Sequence, residues 1–93
     1  MTNQHDFQLI NGRFSSNEAE LLISELAQAK IQHHMRRIAW HDYAEEDIKA
    51  LEVRIREIET DLRETIRLIK TTAGPEGSVD IEGVIRMRFV RQV

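Results

Sequence analysis

A chain of 93 residues, 41% hydrophobic and 31% charged, is one folded domain with a single small core. Thirteen basic against sixteen acidic residues leave a net charge of −3, which argues against a dedicated nucleic-acid binder, because such proteins displace counterions with a basic surface. There is no cysteine, so disulfides, thiolate metal sites and cysteine nucleophiles are excluded.

The polar start MTNQHDFQLING combines no basic segment with an apolar run, so no signal peptide is expected. No stretch reaches the roughly 18 apolar residues of a membrane span, and the cytoplasm is the expected compartment. Phe7 and Leu9 alternate with polar residues up to Asn11-Gly12, a turn pair, which predicts a short strand over 5–11. Ser15 with Glu18 three residues on is a capping box, which starts a helix over about 16–40.

Between Gly12 and Gly74 there is neither glycine nor proline, yet two signals break the helical stretch. Asp42 followed by Glu45, Glu46 and Asp47 is a second helix start. Continued backwards, the seam of the second helix would meet Lys30, His34, Arg37 and His41, which are poor seam residues. A second helix is therefore expected over about 43–72, stopped by Gly74 and Pro75. Its apolar seam is Ile48, Leu51, Ile55, Ile58, Leu62 and Ile69, with Thr65 at one position.

Folded about residue 42 as an antiparallel hairpin, acidic Glu18, Glu20 and Glu25 lie near basic Arg63, Arg67 and Lys70. Helix one carries two apolar sectors, Leu22, Leu26, Ala29 and Trp40 on one and Ala27, Ile31, Met35 and Ile38 on another, so two neighbours are expected. Trp40 and Tyr43 are expected to plug the end of the hairpin.

From Ser78 to Val90, Val79, Ile81, Ile85, Met87 and Phe89 alternate with Asp80, Glu82, Arg86 and Arg88, the period of a strand with one buried face. Gly83 marks a bulge or bend. The outer face is acidic first and basic second, so the strand complements its own reverse. Antiparallel pairing of two copies about Val84 sets Asp80 against Arg88 and Glu82 against Arg86, twice each. The strand over 5–11 can pair with the same segment within one chain, and the two arrangements coexist in a four-stranded dimer sheet.

Catalysis needs a nucleophile beside a base, or carboxylates in a cleft, and neither is legible; no cofactor is implied. His33, His34 and His41 lack metal-ligand spacing and read as surface or edge histidines. The expected protein is thus α+β and mainly α, a long antiparallel, coiled-coil-like helical hairpin flanked by short N- and C-terminal strands. Its expected role is that of a small, soluble, non-catalytic interaction module that forms homodimers, with higher oligomers and an unidentified protein partner open. The interface residues are Leu22, Leu26, Ile31, Met35, Ile38, Trp40, Asp80, Glu82, Val84, Arg86 and Arg88, with the seam of helix two. The alternative is an accessory regulator that touches nucleic acid through Arg86, Arg88 and Arg91, a contact that the overall charge disfavours.

Overall fold

The computed structural model describes residues 3–40 and 45–91. Strand β1 runs Gln4–Ser15, helix α1 Ser16–Trp40 and helix α2 Glu45–Leu68; a π-helical turn, Ile69–Ala73, follows before strand β2, Ser78–Arg88. The protein is α+β, with two α-helices and one two-stranded antiparallel sheet among the described residues. The expectations for Asp42, Tyr43 and the Trp40 side chain lie outside the described residues.

β1 does not turn at Asn11-Gly12. Asn11 pairs with Glu82 and Gly12 with Ile81, so the strand continues to Ser15. Turn chemistry is a local preference, and here the backbone hydrogen bonds of a facing strand outweigh it. Gly12 keeps negative φ, and a Cβ there would lie 3.6 Å from the Phe14 ring, an ordinary contact, so neither backbone nor space demands glycine at this position. The register slips between Gln8 and Ile10, so Leu9 is the extra residue of a bulge. The irregularity expected at Gly83 falls on the strand facing it.

Alternation sorts the sheet into two faces. Val79, Ile81, Ile85 and Met87 share one with Phe14, Gly12, Phe7 and His5 opposite them. Asp80, Glu82, Arg86 and Arg88 share the other, opposite Arg13, Asn11, Asp6 and Gln4. The helices cover the apolar face only near its base, where Ile10, Phe14, Val79 and Ile81 are half-buried.

The capping box forms as expected: the Glu18 N–H donates to Ser15 Oγ at 3.2 Å and the Ser15 N–H to Glu18 Oε1 at 3.4 Å. Ser16 does more. Its buried hydroxyl lies 2.6 Å from the Gly74 carbonyl oxygen and 3.2 Å from that of Gly77, sharing its proton between them. Its N–H also donates to the Gly77 oxygen at 3.2 Å. Ser16 therefore ties the start of α1 to the turn that leads into β2. Ser16→Ala is expected to cost about 1 to 3 kcal/mol, because the hydroxyl donor to two carbonyls is lost in a part-buried place; urea denaturation measures it.

The chain stops its helix as Gly74 and Pro75 predict. Gly74 takes the left-handed φ of 77° and donates its N–H to the Ile69 oxygen at 3.3 Å. Contacts between the two helices run in opposite order. Lys70 meets Glu20 at 3.6 Å, Leu26 and Ala27 face Ile58 and Leu62 across a groove, and His34 feels the charge of Arg54.

Little is buried. Among the described residues Ala19, Ile31 and Ile69 are the only buried hydrophobic side chains. The radius of gyration is 16.7 Å, against about 12 Å for a compact chain of this length.

Candidate interaction surface

The uncovered apolar area concentrates on the distal half of the sheet. Phe7 is 47% exposed, Ile85 44%, Met87 37% and Phe89 59%. Phe7, Ile85 and Met87 lie on the apolar face by strand alternation, and Phe89 follows in the same parity, its N–H donating to the Asn3 oxygen at 2.8 Å. Single exposed apolar residues are ordinary, whereas a contiguous aromatic and aliphatic patch marks a contact surface.

The opposite face is charged and ordered. Arg13 Nε donates to Asp80 Oδ1 at 2.7 Å, and Arg86 Nε to Asp6 Oδ1 at 3.0 Å, each pair with a second hydrogen bond from Nη2. The hydrogen bond from Arg86 holds the Asp6 carboxyl below the ordinary 3.8, and that from Arg13 does the same for Asp80. Sequence reasoning set Asp80 against Arg88 and Arg86 against Glu82 of a second copy and missed these partners in β1. Arg13 and Asp6 were legible as opposite charges, but their register depended on the bulge at Leu9. Glu82 and Arg88 face the neutral Asn11 and Gln4. Val84, expected at the centre of self-pairing, is 47% exposed and faces Gln8.

On the helices, Ile48, Leu51, Ile55, Ile58, Leu62 and Thr65 are half-buried and Ile69 is buried. On α1, Ile31 is buried, Leu22 and Ile38 are half-buried, and Leu26 and Met35 are exposed. The two apolar sectors thus divide differently from the wheel. Ala19, Ile23, Ala27, Ile31, His34 and Ile38 form the less exposed stripe, while Met35 leaves it. Leu26, Ile58 and Leu62 line an open groove of about 310 Å³ between the helices.

His34 is a correction. Its spacing read as that of a surface or helix-edge histidine, yet it is buried on the inner stripe. Neither Nδ1 nor Nε2 has a hydrogen-bond partner. Burial lowers its pKa below 6.5, and the positive charges of Lys30, His33, Arg37 and Arg54 push the same way.

No protein-family model, curated protein or solved structure matches the chain. Function is therefore argued from these surfaces. Among the described residues no three His, Asp or Glu side chains come together as a metal site. The Ser16 hydroxyl is engaged with backbone carbonyls, which occupies the best-buried hydroxyl as a structural donor. Among the described residues no helix is long and apolar enough to cross a membrane.

Proposed function

We propose that this chain is a non-catalytic, oligomerising interaction module: a coiled-coil-like helical hairpin with a strand pair at its base, working as a homodimer. The carrying observation is surface. The chain exposes 7656 Å², about 2,000 Å² more than a compact monomer of 10.9 kDa would. Obligate dimers bury about 2,000 to 5,000 Å² in total, so two copies can remove the surplus by meeting.

Charge selects the mode. The outer edge of β2 pairs with no strand among the described residues, and pairing it with its own reverse about Val84 continues the ion pairs across four strands. One row then reads Arg13, Asp80, Arg88 of the second copy; the next reads Glu82, then Arg86 and Asp6 of the second copy. Every adjacent pair of charges in these rows is opposite in sign, and centring on Val84 gives four such pairs between the copies, whereas centring on Gly83 or Ile85 gives two. Arg86 is already neutralised by Asp6, which leaves the nucleic-acid alternative with a weaker basic surface.

Light scattering across a concentration series tests this reading. The parent is expected at about twice its monomer mass. Arg88→Glu, at a position opposite the neutral Gln4 within its own chain, is expected to weaken the dimer about tenfold by placing like charges beside Asp80 of the second copy. A parent that stays monomeric at every concentration overturns the reading.

A further inference from the structure

Between α2, the π-helical turn and β2 lies an open groove of about 590 Å³, its walls including Leu68, Ile69, Thr72, Ala73 and Val79. Leu68, one of its walls, is 47% exposed, and the groove is open among the described residues. We propose that this groove seats the Phe89 side chain of a second copy. The proposal rests on the self-association reading and adds a site to it.

Register carries the argument. If two β2 strands pair about Val84, residue 79 of one stands opposite residue 89 of the other. Opposed residues of an antiparallel pair lie on the same face, with Cβ atoms about 4.5 to 5.5 Å apart. Val79 is on the apolar face and forms part of the groove wall. Phe89 of the second copy therefore arrives beside Val79 on the side where Leu68 and Ile69 stand. Within one chain it cannot do so, since ten residues along a strand separate positions 79 and 89 by about 33 Å.

The same operation explains an asymmetry in the single chain. The base of the sheet is covered by its helices, whereas Ile85, Met87 and Phe89 at the far end are open. Two-fold pairing of β2 lays the far end of each copy next to the covered base of the other. Ile81 then faces Met87 of the second copy, and Gly83 faces its Ile85. One operation accounts for the four ion pairs, the open far end and the empty groove.

The test replaces Phe89 with the photoreactive p-benzoylphenylalanine, which keeps a ring at that position, in an equimolar mixture of isotope-labelled and unlabelled chains. Irradiation is expected to give a covalent dimer whose attachment maps within residues 65–80 of the other chain. Leu68→Arg, at a position exposed in the single chain, is expected to weaken self-association about a hundredfold by filling the groove with charge. Light scattering of the parent is run beside both. A dimeric parent whose cross-link maps elsewhere, or whose affinity Leu68→Arg leaves unchanged, overturns the groove assignment and leaves self-association standing. A monomeric parent overturns both.

Discussion

Gly77→Ala is expected to destabilise the chain by about 3 kcal/mol and lower its melting temperature by about 15 °C. Two effects oppose each other at this position. Alanine restricts the unfolded chain more than glycine does, which favours the variant by about 0.4 to 1 kcal/mol. Against that, a Cβ at residue 77 would lie 1.9 Å from the Ala73 carbonyl oxygen and 2.6 Å from its carbon. These are backbone atoms, and they cannot rotate away as a side chain can. Ala73 is held in the π-helical turn, and the Gly77 carbonyl accepts from the N–H and the hydroxyl of Ser16. Relief of the clash must therefore break either the turn or the tie to α1. Steric overlap wins. Gly74→Ala is the control, because residue 74 has left-handed φ but open space around its Cβ position; it is expected to cost only about 1 to 2 kcal/mol. Thermal unfolding followed by circular dichroism ranks the two, and a Gly77→Ala chain as stable as Gly74→Ala would show that the turn yields freely.

The comparison explains what could be read from the sequence. Features set by neighbours along the chain were legible: the Ser15 and Glu18 capping box, the stop at Gly74 and Pro75, and the alternation in β2 each depend on a few adjacent residues. Ser16 was not. Its partners lie 58 and 61 residues on, and the spacing to Glu18 that marks Ser15 as the cap says nothing of a distant partner for Ser16. Asn11-Gly12 failed for the same reason in reverse, since a strong local turn signal was overruled by a strand some seventy residues away. The charges of β2 were legible as a self-complementary set, but their nearest partners, Arg13 and Asp6, depend on a register that the bulge at Leu9 displaces by one residue.

His34 shows where packing and polarity part company, and its replacement gives the second large effect. His34→Leu is expected to stabilise the chain by about 1 to 3 kcal/mol, because leucine removes two ring nitrogens that are buried without hydrogen bonds. Only 7% of the residue is exposed, so water supplies little compensation. An apolar side chain at this point also joins Ile31 and Ile38 in the inner stripe of α1, where so small a core gains from each added contact. The pH dependence separates polarity from packing. At about pH 7.5 and above the imidazole is essentially neutral in both folded and unfolded chains and contributes no slope. As pH falls from there, the unfolded chain takes up a proton that the folded site resists, held off by burial and by Lys30, His33, Arg37 and Arg54. Stability is therefore lost between 6.5 and the lower folded-state pKa, and the loss levels off below it. In His34→Leu that part of the acid loss is expected to disappear, while the part due to Asp6 and Asp80, whose folded-state values lie below 3.8, persists at lower pH. Urea titrations of both chains at pH 7.5 and pH 5 measure the difference. An unchanged gap between parent and variant at the two pH values would mean that the histidine gains its proton freely in the folded chain, and a variant weaker than the parent at pH 7.5 would mean that the ring holds the helices together through its shape.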